Sequence, residues 1–321
     1  MSAPTSKDVA RLAGVSQSTV SYVMSGKRPI SENTRTKVLA AIDQLTYHPN
    51  AGARALASQR TSVVGLFVPF GSGMDTNGIL SLFENIALLA RQRDYEVLLV
   101  TSSEGSEGLR RVAGRKLCDA IVLMDISVID ERVAVAAELS IPVVLIGVPR
   151  DAAGLHCVDL DFAMAARLAV DELVATGHNR ILCIGHPSEI ISRDLNFVRR
   201  FADAAEEAAG RHGIAFEHVA PVEWGRVGAR DAVDRVLARR IPDQRLGLLV
   251  PNSRSVQPML HALAARGVIP GRDVSVEPRD VSRLAMETVF WLLDPLDGAR
   301  PPLVALVQPR LTRRETVMSN P

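Results

Sequence analysis

Polar side chains that could contact another molecule are concentrated near the N-terminus, in the stretch GVSQSTVSYVMSGKRPIS from Gly14 to Ser31. A helix that begins after a Ser16 cap would direct Val20 and Val23 to one side. Its opposite face would then carry four polar side chains: Gln17, Ser18, Ser21 and Tyr22. In the DNA major groove, a glutamine amide can pair with adenine, and a serine hydroxyl can meet bases or phosphates. A tyrosine can donate one hydrogen bond or cover a thymine methyl group, so this face has the chemistry of a base-reading surface.

Basic residues flank this stretch and distinguish the N-terminal segment from the rest of the chain. Residues 1–60 contain eight Lys or Arg against three Asp or Glu, a net charge of +5. Because the whole chain has a net charge of +1, the remaining 261 residues carry −4. A basic head on an acidic body predicts a polyanionic partner for the head alone. Four of its cations are placed to meet phosphates, which set affinity and register without reading sequence: Lys27, Arg28, Arg35 and Lys37.

Three short helices are predicted to position this face. Thr5 and Asp8 have capping-box spacing, so the first helix should cover 6–13, the second should cover 17–24, and Ser31 should cap a third. The expected core positions repeat at helical spacing: Val9, Leu12 and Ala13 in the first helix, and Val38, Leu39, Ile42 and Leu45 in the third. Two short helices joined by a tight turn and backed by a third form a helix-turn-helix. The alternative is a three-helix interaction module with solvated charges, but the turn, the caps and the basic bias favour DNA binding.

The segment PNAGARALASQR, Pro49 to Arg60, is good helix material with an Asn50 cap. At about two turns it is too short to be a stable helix alone in water. We expect it to order when two copies pack together over DNA, with Leu56 offered to the minor groove as an apolar wedge. A plain interdomain linker is the alternative.

The pattern after residue 62 is that of an α/β body. Short apolar runs alternate with amphipathic helices, which is the rhythm of a parallel sheet covered on both faces. The clearest strands are predicted at 63–69, 95–101, 119–124, 141–147, 180–185 and 246–251, and helices at about 162–176, 193–212, 227–240 and 254–266. A chain of 321 residues is too long for one core, so two subdomains with a ligand cleft between them are expected.

Membrane, secreted and enzymatic classes find little support in the sequence. No apolar stretch of about 18 residues and no apolar signal core near the N-terminus is present, which predicts a cytoplasmic protein. The three cysteines are far apart and lack metal or disulfide spacing, so they are expected to be small buried side chains. Five residues are candidates for catalysis: His156, His178, His186, Asp159 and Asp161. No phosphate loop, nucleophile elbow or metal-ligand spacing accompanies them, so no enzyme activity, cofactor or metal is predicted.

The stretch from KDVARLAGVSQSTVSYVMSGKRPIS to AGARALAS resembles the head and hinge of the lactose-repressor and galactose-repressor (LacI/GalR) family of bacterial transcription regulators. The resemblance implies that Gln17, Ser18 and Tyr22 read bases, and that Ala53 and Leu56 enter the minor groove. The full set of DNA-binding candidates is Ser16, Gln17, Ser18, Thr19, Ser21, Tyr22, Asn50, Ala53, Arg54 and Leu56. Many members have Arg at the position of Tyr22, so the half-site read here should differ from theirs.

The body resembles the periplasmic-binding-protein-like effector domain of the same family, through VDELVATGHNRILCIGHP, RDLNF and VPNSRSVQPMLHAL. The resemblance implies four effector-binding candidates: Phe70, Ser72, Arg193 and Asn252. It also implies a helix-turn-helix domain at 1–48, a hinge at 49–61 and an effector and dimerisation domain at 62–316. Its two subdomains would be 62–160 with 279–300, and 161–277 with 303–316.

Several departures from the family pattern affect the cleft. Ser253 replaces an Asp, Gly147 lies where sugar-binding relatives can have Asp, and Asn196 replaces a Gly. About 20 residues that normally supply an acidic contact and a hinge crossing are missing near 276–278. The cleft could take an atypical ligand or no small molecule, and we expect a weak or absent sugar response because neither acidic position is retained.

The predicted function is that of a sequence-specific DNA-binding transcription regulator of the repressor type. No heptad-like tail follows the final strand, so a homodimer rather than a tetramer is expected. Two-fold symmetry then requires a near-palindromic operator. The alternative is a solute-binding protein that uses the same body, which the basic head and the lack of a signal peptide argue against.

Overall fold

The computed structural model divides the chain into two compact units, Met1–Thr61 and Ser62–Pro321. The structure describes residues 4–25, 28–47, 55, 60–70, 76–239, 244–268, 274–277, 286, 288–290, 292–293 and 302–313. Among these, no helix is long and apolar enough to cross a membrane.

Three helices form the first unit, at Ser6–Ala13 (α1), Gln17–Ser25 (α2) and Glu32–Gln44 (α3). The capping-box spacing is confirmed, because the Asp8 carboxylate accepts hydrogen bonds from the Thr5 backbone N–H at 3.0 Å and from the Thr5 hydroxyl at 2.7 Å. The helices meet in a small core of buried side chains: Val9, Ala10, Val20, Val23, Val38 and Ala41.

One core prediction in α3 is wrong. Leu39 is 48% exposed, whereas the adjacent Val38 is fully buried. The buried stripe of α3 contains Val38 and Ala41, with Ile42 and Leu45 packed against it. These four positions have the i, i+3, i+4, i+7 spacing of one helix face, and Leu39 lies about 100° around the axis from Val38. Leu12 of α1 is likewise exposed.

A six-stranded parallel sheet forms the first half of the second unit. Its strand order is β10-β5-β4-β3-β1-β2, from β1 (Val63–Val68), β2 (Glu96–Thr101), β3 (Ala120–Leu123), β4 (Val143–Ile146), β5 (His156–Leu160) and β10 (Val304–Val307). One face packs against α4 (Thr76–Arg91) and the described residues of 286–293. The other packs against α5 (Gly105–Gly114) and α6 (Glu131–Ala137). Both faces are therefore covered, as the apolar runs predict.

A three-stranded parallel sheet forms the second half, in the order β7-β6-β8. Its strands are β6 (Arg180–Ile184), β7 (Ala215–Val219) and β8 (Leu246–Leu249). On one face lie α7 (Phe162–Ala175) and α9 (Asn196–Arg211), rich in buried alanine. On the other lie α10 (Gly225–Ala238) and α11 (Ser253–Ala264). A short helix, α8 (Ser188–Ile191), follows β6, and β9 (Val274–Glu277) pairs with β11 (Arg310–Arg313) in an antiparallel ladder.

The chain crosses from the first half to the second after β5, is back against the first sheet at Met286 and Val289, and crosses again after β10. The sequence assigned all of 303–316 to the second subdomain, but β10 pairs in parallel with β5 and extends the first sheet. The crossings after β5 and after β10 run side by side, because the Asp161 backbone N–H donates to the Val307 carbonyl at 2.9 Å. An apolar strand beside the open edge of β5 gains a full ladder of hydrogen bonds there, which the sequence pattern alone does not reveal.

Candidate DNA interface and effector cleft

Helix α2 separates a buried apolar side from an exposed polar side. Val20 and Val23 are in the core of the first unit. The four predicted polar side chains are all exposed: Gln17, Ser18, Ser21 and Tyr22. Ser16 caps the helix, because its hydroxyl accepts from the Thr19 backbone N–H at 3.1 Å. The amphipathic arrangement is confirmed, and the assignment of individual side chains to bases stays a prediction.

Two contacts fix the orientation of the outermost polar side chains. The Gln17 Nε2 group donates to the Ser6 hydroxyl at 2.7 Å, which leaves its second N–H and its Oε1 for another partner. The Arg28 guanidinium carbon lies 5.4 Å from the centre of the Tyr22 ring, within the range of a cation–π contact. The sequence pattern does not single out Ser6, because a serine in the first turn of a helix is common and carries no further signal.

The predicted hinge contacts lie outside the described residues. They are Asn50, Ala53, Arg54 and Leu56, and the same holds for Ser72 of the body. Their roles remain predictions from the resemblance.

The body places its candidate ligand residues after the carboxyl ends of parallel strands. Phe70 follows β1, Arg193 follows β6 and α8, and Asn252 follows β8. Phe70 is half-exposed, with its ring 6.4 Å from that of Phe83. The Asn252 side chain caps α11, accepting from the Arg254 backbone N–H at 2.9 Å. This end of the two sheets is where ligands of open α/β folds bind.

Arg193, in the turn before α9, forms an ion pair with Asp125, which follows β3 of the first sheet. The Asp125 side chain is only 14% exposed and that of Arg193 is 34% exposed. Burial lowers the pKa of Arg193 from its usual value. The sequence around Asp125 gives no sign of this role, because an Asp after a strand is a common turn residue.

The segments on either side of this ion pair are also joined. The Ser127 hydroxyl donates to the Arg193 carbonyl at 2.9 Å, and the Val128 backbone N–H donates to the Asp194 carbonyl at 2.8 Å. Ser127 forms an isolated antiparallel bridge with Leu195. The loop 125–128, in the first half of the body, and the segment 193–195, in the second half, are therefore paired over several residues.

Asn196 and Arg132 form further hydrogen bonds next to these paired segments. The Asn196 amide donates to the Val148 carbonyl in the loop after β4. Beneath loop 125–128, the buried Arg132 donates to the Asp125 carbonyl at 2.7 Å and to both oxygens of Asp130. Burial alone would raise the pKa of Asp130, but the hydrogen bonds and charge of Arg132 outweigh it and lower that pKa.

Comparison with known proteins identifies the family. Residues 5–50, which contain α1 to α3, match the family model described as bacterial regulatory proteins, lacI family. These residues form a LacI-family domain. It is 27% identical over 306 residues to catabolite control protein A of Priestia megaterium, covering 94% of this chain and 86% of that protein. The match to catabolite control protein A of Streptococcus mutans is 34% identical, over 65% of this chain and 62% of that protein.

The fold of the chain is that of the lac repressor. The structure of the lac repressor dimer bound to operator and the anti-inducer ONPF matches with a TM-score of 0.79 and 21% identity, covering 99% of this chain and 100% of that one. The predicted architecture, a helix-turn-helix head with a periplasmic-binding-protein-like body, is thereby confirmed. With a LacI-family domain at residues 5–50 and matches to catabolite control protein A that extend into the body, the protein is a DNA-binding transcription regulator.

An apolar cavity of about 70 Å³ lies in the second half of the body. Its walls include Phe162, His186, Ile191 and Phe197. The His186 ring stands edge-on to Phe197 and to Trp224, with ring centres 6.2 Å and 5.8 Å apart. Burial lowers the pKa of His186 to about 4, so the imidazole is neutral at pH 7.

The other residues considered for catalysis have structural contacts. The His178 Nδ1 lies 2.9 Å from the Leu173 carbonyl, within the loop between α7 and β6. The Asp159 carboxylate accepts from Arg200 at 2.8 Å, and burial raises its pKa to about 6. His156 Nδ1 lies 3.1 Å from the Pro302 carbonyl, beside β10. Across the described ranges, no group of His, Cys, Asp and Glu side chains is suited to hold a metal ion.

Proposed function

We propose that this regulator is a repressor that binds a near-palindromic operator as a homodimer. The observation that carries the proposal is the face of α2, where four polar side chains are exposed opposite two buried valines within the LacI-family domain. Two copies related by a two-fold axis would present this face to successive major grooves. The lac repressor, which shares the fold, was crystallised as a dimer on its operator.

The body offers an apolar surface suited to dimerisation. Strand β2 is an edge of the first sheet, and α4 packs beside it. Three large aliphatic side chains are exposed on these two elements: Leu80, Leu88 and Leu99. A surface of this kind on a soluble protein favours association. We assign it to the homodimer interface.

The effector site of the proposed regulator is the cleft at the carboxyl ends of the strands. Arg193 and Asn252 supply a guanidinium and an amide, which suit hydroxyl and carboxylate groups. We expect simple sugars to bind weakly or not at all, because the Arg193 guanidinium is already paired with Asp125. Thermal-shift screening tests this expectation, and micromolar binding of a simple sugar would contradict it. No catalytic step is proposed, and the regulator is expected in the cytoplasm.

The function is tested by selecting bound fragments from random duplexes with the purified full-length chain, together with sedimentation analysis. We expect a dimer and a two-fold symmetric consensus. Tyr22→Arg should change the preferred base at one symmetric position, since Arg can make a bidentate contact to guanine. Tyr22→Phe, the matched control, keeps the ring and loses only the hydroxyl. A monomer that binds every duplex equally, with affinity governed by salt alone, would refute the proposal.

A further inference from the structure

We propose that Asp125 is a built-in occupant of the effector cleft. Its carboxylate binds Arg193 where a ligand's anionic or hydroxyl group would bind, and it holds the two halves of the body together without a ligand. The inference rests on the proposed function in one respect, namely that Arg193 lies in the effector cleft. The closure itself can be measured without DNA.

The ion pair joins two elements that share no sheet. Asp125 follows β3, and Arg193 precedes α9, which packs on the second sheet. The ion pair is separate in sequence from the covalent crossings that follow β5 and β10. Because the Asp125 side chain is 14% exposed, the pair is shielded from water more than an ordinary surface salt bridge. Removing its carboxylate would leave a partly buried guanidinium uncompensated.

The neighbouring hydrogen bonds make closure cooperative. Ser127 and Val128 bind the carbonyl groups of Arg193 and Asp194, and all of these residues lie within three positions of the ion pair. Opening the cleft at Arg193 therefore also breaks the backbone hydrogen bond of the Val128 N–H. Exchange of that amide hydrogen with solvent reports opening directly.

The backbone on both sides has a conformation that restricts which residues can replace Asp125. Asp125 has φ of 63° and Asp194 has φ of 48°, both in the left-handed region. Asp, Asn and Gly tolerate this region, whereas most other side chains do so at a cost. Arg132 holds the Asp125 carbonyl from below at 2.7 Å, so the carboxylate is presented from a braced loop. Asn and Gly are accordingly the substitutions that leave the backbone undisturbed.

The Asp125 carboxylate competes with any ligand for the Arg193 guanidinium. A ligand that uses Arg193 must displace the Asp125 carboxylate, which weakens its apparent affinity. Deleting that side chain should create a site for a small free carboxylate, since the guanidinium remains in place with a fork of donors that matches two oxygens. Acetate has the size of the side chain that Asp125→Gly removes.

The experiment compares Asp125→Asn, Asp125→Gly and a matched control, Asp234→Asn. The control breaks the ion pair of Asp234 with Arg266, which lies within the second half of the body. We expect exchange at Val128 in the full chain to accelerate about tenfold or more in both Asp125 variants and to stay unchanged in the control. In Asp125→Gly, tens of millimolar acetate should restore protection, whereas chloride at the same ionic strength should not.

Operator affinity provides the second readout. We expect the Asp125 variants to differ from the wild-type chain by about fivefold or more at constant salt, because the closure sets the state that binds DNA. Exchange and affinity both within twofold of wild type would overturn the proposal, as would acetate acting no differently from chloride. Failure of the proposed function would look different: the wild-type chain would show no preferred duplex, whatever the exchange data.

Discussion

Two adjacent residues of α3 provide a direct test of the head's packing. Val38 is fully buried and Leu39 is 48% exposed, although the sequence pattern predicts both in the core. Val38→Ala removes two buried methyl groups, each worth about 0.8 kcal/mol, and leaves a cavity, for a total of about 2–3 kcal/mol. Leu39→Ala removes one carbon atom more, but about half of the Leu39 surface is already exposed to water. This substitution should therefore lower the free energy of unfolding by about 1 kcal/mol or less.

The measurement is hydrogen exchange of the α1 to α3 amides in the full chain, where the head can be followed apart from the body. The head has a small core, so the loss in Val38→Ala is a large fraction of its stability. With tenfold in rate for each ~1.4 kcal/mol, the most protected amides should exchange roughly 30- to 150-fold faster in Val38→Ala and about fivefold faster or less in Leu39→Ala. Equal effects, or a larger effect for Leu39→Ala, would refute the packing described for α3.

Three further predictions concern single side chains. Arg35→Ala should weaken binding to all duplexes alike and reduce the salt slope by about one, as loss of a phosphate contact does; a change in the preferred base at one position would contradict this. Since folding lowers the pKa of His186 to about 4, the stability it contributes is present above pH 6.5 and lost as pH falls towards 4. Between pH 7 and 5 the wild-type chain should therefore lose about 2 kcal/mol more than His186→Phe in urea unfolding, and identical pH dependence would argue against burial of the imidazole. Burial raises the pKa of the thiols of Cys118 and Cys157 to about 11 and that of Cys183 to about 12. Alkylation of these thiols at pH 8 should therefore be negligible until the chain unfolds, and rapid labelling of the native chain would show that they are not buried.

The sequence alone determined the local structure of the head. Capping spacing, the Gly14 break and the 3.6-residue repeat are short-range signals, and the bounds of α1 and α2 follow from them. The same short-range reasoning separated the polar face of α2 from Val20 and Val23. It failed at Leu39, because which of two adjacent apolar residues faces inward depends on the direction from which α1 and α2 approach α3.

In the body, the sequence determined the elements but not their long-range pairing. The runs that became β1 to β4, β6 and β8 are continuous and apolar, as buried parallel strands require. Strand β10 joined β5 across more than a hundred residues of chain, and no local pattern encodes the choice between two open sheet edges. The sequence also predicted that Arg193 and Asn252 lie beyond the carboxyl ends of parallel strands, the edge at which polar groups of such sheets converge.

Only the tertiary structure decided what Arg193 binds. The sequence indicated a guanidinium available to a ligand, whereas the fold brings Asp125 to it from 68 positions away. Asp125 has the features of an ordinary turn residue along the chain, and its importance arises from the loop that Arg132 braces against the second half of the body. Local propensities depend on neighbours within a few residues, but an ion pair between subdomains depends on how whole sheets are placed, and that placement is a property of the packed cores.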